Sequence, residues 1–266
     1  MQKTALCITG EERSFVTNIP NIKATWLQTY AQPVESFLVL SNVVNEALTT
    51  RLLLQYLRPV RYLFLSEMPY PRDMACGLAG NLSQCPSGCT RRAQAYWQAV
   101  KNRRCFELVV NHEHRNNFQY EHVAKIRPDA QWCFSHASAL AWISAIRRRP
   151  FSIWLQGLNG GKDGALPTNV VQDNFALIPR AAARIYFATD SIFGYCTHDE
   201  RWREYCHAHR SMKNASQHTL ECPMSMYLRR QNMTISALPS PPCYQLFRVD
   251  GRTRFYCPCL AAKKAR

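Results

Sequence analysis

The first 66 residues alternate short apolar runs with segments of helical periodicity. The runs at 4–9, 35–41 and 60–66 are apolar throughout, which is typical of strands that are buried on both faces of a parallel sheet. Between them, residues 19–31 and 45–57 place apolar side chains at helical spacing. This order predicts an α/β, Rossmann-like fold with a mostly parallel central sheet and helices on both faces.

The pattern continues less regularly beyond residue 66. We predict helices at 91–117, 137–147, 180–189 and 221–231, and strands at 121–129, 151–157, 173–179 and 233–237. Pro20 is expected in the first turn of the first helix, where its missing N–H is tolerated. The Gly- and Pro-containing segments 67–90 and 159–164 are predicted to be loops that close over a binding site.

The length of 266 residues suits one large domain with a small appendage. We assign residues 1–238 to the α/β domain and 239–266 to a basic C-terminal tail that contains Pro and Cys. No run of about 18 apolar residues exists, so the sequence predicts no membrane span. The apolar run within residues 1–10 is too short for a signal peptide.

The chain carries 33 Lys and Arg against 18 Asp and Glu, a formal charge of +15. A hydrophobic content of 47% excludes a disordered chain. The charge is compatible with nucleic acid as a partner, but the basic residues are scattered and no nucleic-acid-binding motif is present. A basic surface also suits a ligand that carries a diphosphate, so nucleic acid is the weaker of the two interpretations.

Twelve cysteines and three sequons, at Asn81, Asn214 and Asn232, favour the lumen of the secretory pathway or Golgi. The alternative is a cytoplasmic protein. One cluster has residue types that bind zinc: Cys196, His198, Cys206, His207 and His209. Its spacing does not match the usual zinc sites, so disulfides or buried thiols are the preferred interpretation of the cysteines.

Asp129 is the strongest candidate among the few carboxylates. It ends an apolar strand and follows Arg127 and Pro128. Ligands of open α/β sheets bind at the carboxyl ends of strands, where a carboxylate can hold a divalent cation and, through it, phosphate oxygens. The alternative is an Asp that only caps a turn at the end of the strand.

Four further positions are weaker candidates. Gly10 follows the first strand and would let backbone N–H groups approach a nucleotide, and Arg13 is placed to pair with a phosphate. Asp173 begins the predicted strand 173–179, just before its apolar residues 175–178, and would face the same pocket. His136 is a possible acid–base group or metal ligand, although a lone His is more often structural.

Five segments, in order, resemble an uncharacterised eukaryotic family of glycosyltransferase-like proteins. They are residues 5–15, 95–113, 118–132, 173–187 and 220–235, and the most specific is the sequence that ends in Arg127-Pro128-Asp129. The resemblance implies a GT-A-like fold with a nucleotide-sugar site on its Rossmann-like half. It also implies a glycosyltransferase that moves a sugar from a nucleotide-sugar donor to a glycan or protein acceptor.

The resemblance further implies roles for individual residues. The Arg-Pro-Asp stretch stands where such enzymes carry an Asp-x-Asp metal motif, so Asp129 would anchor the diphosphate with or without Mg²⁺ or Mn²⁺. Gln131 replaces the second Asp and is a weaker, neutral ligand, and Lys125 stands where the family often has Arg. Arg13 and Arg127 would neutralise the leaving group, with Asp173 as the catalytic base of an inverting reaction.

The incomplete metal motif keeps a second hypothesis open, a catalytically inactive relative that binds a glycan or a protein partner. Changing Asp129 to Asn separates a ligand-binding role from a structural one. If Asp129 binds the ligand, the change should abolish nucleotide or metal binding and leave the thermal midpoint nearly unchanged.

Overall fold

The computed structural model describes residues 2–12, 15–66, 88–155, 174–194, 221–240, 242–247 and 253–255. A seven-stranded sheet forms the centre of the fold, in the order β3-β2-β1-β4-β7-β6-β8. Its strands are β1 Thr4–Glu11, β2 Val34–Ser41, β3 Arg61–Leu65, β4 His122–Ile126, β6 Ser152–Leu155, β7 Phe175–Pro179 and β8 Thr234–Ala237. Strands β3, β2, β1 and β4 are parallel, β7 is antiparallel to both neighbours, and β6 is parallel to β8.

Helices cover both faces of this sheet. They are α1 Phe15–Ile22, α2 Glu46–Leu52, α3 Gly88–Asn116, α4 His136–Arg148, α5 Arg180–Phe187 and α6 Glu221–Arg230. A π-helical stretch extends α1 over Lys23–Gln28 and another extends α2 over Leu53–Leu57. Thr189–Gly194 forms a 3₁₀ helix after α5. Asn45 caps α2 by accepting a hydrogen bond from Leu48 N, and Ser135 caps α4 by accepting one from Ser138 N.

Successive side chains of each central strand enter two separate hydrophobic clusters. Ala5 and Cys7 of β1 pack beneath α3, α5 and α6, whereas Leu6 and Ile8 pack beneath α1 and α4. All four side chains are fully buried. The prediction of strands that are apolar throughout, because both faces are covered, is therefore confirmed, and with it the α/β fold class.

The predicted start of the first helix is wrong. The helix begins at Phe15 rather than at residue 19, so Pro20 lies inside it. Proline lacks the N–H that would bond the carbonyl four residues earlier, and it disfavours regular α geometry at that point. The chain continues as a π helix at Lys23. The apolar positions Phe15, Ile19 and Ile22 still keep one buried face.

A second, three-stranded antiparallel sheet lies beside the first. Its strands are β5 Ala130–Cys133, β9 Cys243–Phe247 and β10 Thr253–Phe255, in the order β10-β9-β5. Part of the predicted C-terminal tail thus pairs with β5. Only the turn at Arg127–Asp129 separates β4 of the large sheet from β5 of the small one, and this turn carries the predicted site.

Within the described ranges, no helix combines the length and the hydropathy needed to cross a membrane.

Candidate functional site

The strand order places a topological switch point between β1 and β4. The chain runs outward from β1 to β2 and β3, and then returns to add β4 on the other side of β1. The carboxyl ends of β1 and β4 therefore adjoin, and connections leave them in opposite directions. Open α/β sheets bind ligands in the crevice that this arrangement creates. The segments at this point are Gly10–Glu12, in which Gly10 and Glu11 end β1 instead of following it as predicted, and Arg127–Asp129 after β4.

Gly10 and Pro128 pack directly against each other at the switch point. A Cβ atom on Gly10 would lie 2.6 Å from Cδ and 2.8 Å from Cγ of Pro128, closer than side chains tolerate. Asn18, buried on α1, donates from Nδ2 to the Pro128 carbonyl over 3.1 Å. The glycine that the sequence suggests for nucleotide approach thus has a packing role, because it makes room for the turn that carries Asp129.

Arg127 and Asp129 form a bidentate ion pair. Nε of Arg127 donates to Oδ1 of Asp129 over 2.8 Å, and Nη2 donates to Oδ2 over 2.6 Å. Asp129 is 4% exposed, whereas the Arg127 side chain keeps 27% of its surface exposed. The structure therefore brings together two of the predicted site residues, and both oxygens of the carboxylate already accept from the guanidinium.

Gln131, in the position of a second metal ligand, lies in β5 at intermediate burial. Its neighbours Ala130 and Trp132 are buried in the hydrophobic core, so Gln131 takes the opposite face of that strand. His136 begins α4, is exposed, and has Nδ1 3.1 Å from the Thr29 carbonyl, a contact that joins two helical segments. In the part of the chain that the structure describes, no three His, Cys, Asp or Glu side chains form a metal-binding group.

Several predicted features lie outside the described residues. They are Arg13, Asp173, loop 159–164, most of loop 67–90, and the cluster from Cys196 to His209. Their assignments stay predictions.

A row of polar side chains on α3, which the sequence analysis missed, faces the carboxyl ends of β1 and β2. Lys101 is 2% exposed, and its Nζ donates to Oγ of Ser41, the last residue of β2, over 2.8 Å. A buried ammonium group is costly unless acceptors or anions surround it. Its position at the ligand-binding edge of the sheet marks this face of α3 as part of the candidate site.

Asn102 and Gln98 continue the same row. The hydroxyl of Thr9, near the end of β1, donates to Oδ1 of Asn102 over 2.6 Å, and Nε2 of Gln98 donates to the same Oδ1 over 3.1 Å. Asn102 is fully buried, and its Nδ2 has no protein hydrogen-bond partner. Buried polar atoms are usually satisfied, so this orphan donor is a further sign of a functional site.

Helical spacing could have revealed this row in the sequence. Residues 98, 101 and 102 are separated by three and four positions and so share a face with the buried Cys105 and Val109. Polar side chains on an otherwise apolar helix face are the informative signal. It was hidden because neighbouring Arg103 and Arg104 are exposed and make the whole segment look basic and solvated.

A disulfide between Cys7 and Cys105 fastens α3 to β1 beside this row, with 5.9 Å between the two Cα atoms. Cys7 lies two residues before Thr9, and Cys105 lies three residues after Asn102. The bridge is buried in the cluster beneath α3. It therefore fixes the helix that carries Lys101 and Asn102 against the strand that carries Thr9.

Glu12 shapes the other side of the switch point. Its Oε2 accepts from Val44 N over 2.7 Å, and its Oε1 accepts from the Thr49 hydroxyl. Glu12 N donates to the Ser41 carbonyl over 3.0 Å. This buried carboxylate holds the connection from β2 to α2 in place, and it has a structural role.

The carboxylate, tyrosine and histidine side chains with shifted pKa values lie at the opposite, amino edge of the sheet, where the parallel strands begin. Burial alone would raise the pKa of Glu35. Hydrogen bonds from Lys3 and Tyr120 act in the opposite direction, and the net shift of the pKa is downward. Burial and the bond to Glu35 raise the pKa of Tyr120 well above its usual value. This network ties the start of β2 to the segment before β4.

An open cavity of about 580 Å³ also lies at this amino edge, lined by Glu113, His114, Asn117, Phe118 and Gln119. Arg180 at the start of α5 donates to Glu113 from both Nε and Nη2, over 2.9 and 2.7 Å. These contacts join the end of α3 to α5. The cavity lies at the edge of the sheet that is far from Asp129. We place the candidate site at the switch point because of the charged and polar side chains there, although the cavity is elsewhere.

Comparison with known proteins shows no family for this chain. No family model and no curated protein matches the chain. One similar solved structure is described as a "putative nucleotide-diphospho-sugar transferase" from Desulfovibrio desulfuricans G20. It is 9% identical, and the match covers 90% of this chain and 80% of that one with a TM-score of 0.42. Similarity at this level assigns no activity.

Proposed function

We propose that the protein is a glycosyltransferase that moves a sugar from a nucleotide-sugar donor to a hydroxyl group of a glycan or protein acceptor. The observation that carries the proposal is the Arg127–Asp129 pair, held at the switch point where the carboxyl ends of β1 and β4 meet. The resemblance of the Arg-Pro-Asp segment to glycosyltransferase-like proteins supports the same assignment.

In the proposed reaction, the acceptor oxygen forms a bond to the anomeric carbon of the sugar. The bond from that carbon to the donor phosphate breaks, and its electron pair leaves with the nucleoside diphosphate. Arg127 neutralises this charge, because a guanidinium pairs well with phosphate oxygens. Asp129 accepts two of the five N–H groups of Arg127 and so fixes the plane of the guanidinium.

The acceptor must lose its proton to a base within hydrogen-bond reach. For an inverting reaction we assign that role to Asp173, and we assign a second phosphate contact to Arg13. Both assignments rest on sequence position. A retaining reaction remains the alternative, in which the acceptor attacks from the face that the diphosphate leaves.

The described residues are a poor fit for a resident Mg²⁺ or Mn²⁺. These ions prefer several carboxylate or other oxygen ligands. Asp129 is the carboxylate at the right place, but the Arg127 guanidinium binds both of its oxygens, and Gln131 lies on the strand face opposite the buried Ala130 and Trp132. The proposed step therefore passes through Arg127, and metal dependence stays a prediction.

A location in the secretory pathway fits the same proposal. Disulfides persist in oxidising compartments, and both the Cys7–Cys105 bridge and a disulfide at Cys243 are formed. The sequon residue Asn232 is exposed in the turn between α6 and β8, where a glycan has room. We propose a lumenal glycosyltransferase on these grounds.

The test is a panel of UDP- and GDP-sugars with and without Mn²⁺, assayed for sugar transfer, donor hydrolysis and thermal shift. We expect one nucleotide class to stabilise the protein and its sugar to be transferred or slowly hydrolysed. Arg127→Met should remove turnover, with Arg104→Met as a control that removes the same charge from an exposed position on α3.

One observation favours a second candidate function, a glycan- or partner-binding protein without catalysis. The same ion pair that positions Arg127 also occupies Asp129, as expected of a site whose carboxylate no longer binds a ligand. This candidate predicts no turnover and no thermal shift from any nucleotide. Turnover of a nucleotide sugar, or a thermal shift that is specific to one nucleotide, would exclude this candidate.

A further inference from the structure

Cys133, the last residue of β5, carries a free thiol at intermediate burial. Side chains alternate between the two faces of a strand, and the neighbouring Trp132 is buried in the hydrophobic core. Cys133 therefore lies with Gln131 on the other face of β5, outside that core. Its presence there does not follow from core packing, and the sequence analysis gave it no individual role.

Cys243, the first residue of β9, lies directly opposite Cys133 in the small sheet. The two strands are antiparallel, and directly opposed side chains share one face with their Cβ atoms about 4.5–5.5 Å apart. Cys243 is also at intermediate burial, and it is disulfide-bonded. Because Cys133 is free, the sulfur bonded to Cys243 belongs to another cysteine. The small sheet thus places a thiol beside a disulfide.

The spacing of β5 and β9 suits a bridge between these two cysteines. Opposed residues of an antiparallel pair have Cα atoms about 4.5 or 5.5 Å apart, depending on whether they are hydrogen-bonded to each other. Disulfides form at Cα separations of about 4.4–6.8 Å. Cys133 and Cys243 can therefore be joined without a shift of either strand. The Cys7–Cys105 bridge differs, because both of its cysteines are fully buried and attack by another thiol needs access.

We propose that Cys133 and Cys243 form a thiol–disulfide exchange site. Sγ of Cys133, as the thiolate, attacks Sγ of Cys243, and a bond forms between them. The existing disulfide bond of Cys243 breaks, and its electron pair leaves with the other sulfur, which takes up the proton that Cys133 lost. One disulfide and one thiol are present before and after, so the step needs no oxidant and no reductant. The inference is independent of sugar transfer.

The exchange changes the covalent attachment of β9. The disulfide at Cys243 links β9 to another cysteine, whereas the exchanged bond links β9 to β5. Strand β5 begins at Ala130, directly after the Arg127–Asp129 turn, so the new bond fastens β9 to the strand that leaves this turn. Small thiols such as glutathione are the class of molecule that would act here, because they carry such exchanges through mixed disulfides.

The experiment maps the disulfides of the folded protein by mass spectrometry of unreduced peptides. The protein is first equilibrated with several ratios of reduced to oxidised glutathione, and all thiols are then trapped with N-ethylmaleimide. We expect one population with the label on Cys133. We expect a second population, with a Cys133–Cys243 bridge and the label on the released cysteine, at roughly a tenth of the molecules or more. Because the step consumes no electrons, the ratio of the two populations should not follow the glutathione ratio.

Two variants and one internal control accompany this measurement. Cys133→Ser removes the attacking sulfur, so it should show neither the second population nor a label on the released cysteine, and its thermal midpoint should stay near that of wild type. Gln131→Ser changes a side chain on the same face of β5 and should keep both populations. The Cys7–Cys105 bridge should be intact in every sample, which shows that the exchange occurs in the folded protein.

Three results would overturn the proposal. The first is a label confined to Cys133 at every glutathione ratio, with no Cys133–Cys243 peptide. The second is a Cys133–Cys243 peptide that appears only together with loss of the Cys7–Cys105 bridge, because the exchange would then follow unfolding. The third is a Cys133–Cys243 bridge found only in covalent dimers. Two populations of monomer in wild type, reduced to one by Cys133→Ser, would establish the exchange site whether or not a nucleotide sugar binds.

Discussion

Pro128 lies so close to Gly10 that a single methyl group on the glycine would stand 2.6 Å from the proline ring. This contact joins the ends of β1 and β4, and it places the Arg127–Asp129 pair directly above the switch point. Only glycine fits against Pro128 at this position, and the contact between Gly10 and Pro128 positions Arg127 and Asp129.

Gly10→Ala should therefore destabilise the fold. The added Cβ forces Pro128 or β1 to shift, and overpacking of this kind costs about 1–3 kcal/mol. Thermal or urea unfolding measures the change. The double variant Gly10→Ala with Pro128→Ala should be closer to wild type than the sum of the single changes, because the second change removes the clashing ring atoms. Additive losses would contradict the proposed contact.

Asp129→Asn should lower stability as well as binding. The sequence alone led us to expect an unchanged thermal midpoint, but Asp129 is 4% exposed and accepts two hydrogen bonds from Arg127. Breaking one partner of a buried pair costs about 3 kcal/mol. Denaturant unfolding and nucleotide binding should be measured together. Arg127→Gln with Asp129→Asn, which removes both charges, should regain much of the stability and none of the binding.

The strands of this fold were predictable because a strand that is buried on both faces has an uninterrupted apolar sequence, as β1 does. The paired roles of Arg127 and Asp129 were only half predictable. Both residues were identified at the end of β4, yet the sequence could not show that the guanidinium would turn back onto the carboxylate. That choice depends on the turn geometry that Pro128 and Gly10 set together.

The row of polar side chains on α3, which contains Lys101, and the second sheet were missed for different reasons. Lys101 lies in a basic segment of α3, and only the side chains that pack on β1 and β2 reveal which face is buried. Strand β9 pairs with β5, a partner more than 100 residues earlier in the chain. Long-range pairing of short strands leaves no local signal in one sequence, so the segment resembled a tail.

The Cys7–Cys105 disulfide should contribute strongly to stability. It closes a loop of 98 residues, for which chain entropy predicts about 4.7 kcal/mol. We expect a reductant that opens the bridge, or the double change of both cysteines to Ala, to lower the free energy of unfolding by a similar amount and to lower the thermal midpoint with it. Cys133 is a free thiol at intermediate burial, so Cys133→Ala is the matched control. A midpoint insensitive to reduction, with both thiols shown to be free, would contradict this prediction.

Stability should fall as the pH decreases from about 6.5 towards 4. Burial lowers the pKa of His122 from 6.5 to about 4, against the opposing charge of Glu121. The folded protein keeps this histidine neutral, while the unfolded chain binds a proton below pH 6.5, so acid favours unfolding by about 3 kcal/mol across this window. His122→Gln should flatten the profile of thermal midpoint against pH between 6.5 and 4. His136→Gln, the same substitution at an exposed position, is the matched control for the change of side chain.

Asn232 should carry an N-linked glycan when the protein is expressed through a secretory pathway. It is exposed in a tight turn with φ of 54°, a backbone conformation that asparagine tolerates better than most residues. Changing Asn232 itself would strain the turn, so the sequon is better removed by Thr234→Ala at the exposed first position of β8. Intact mass with and without glycosidase should show one glycan fewer in this variant, while Thr234→Ser, which keeps the sequon, should match wild type. An identical mass for wild type and Thr234→Ala, after allowing for the side-chain difference, would show that this sequon is not used.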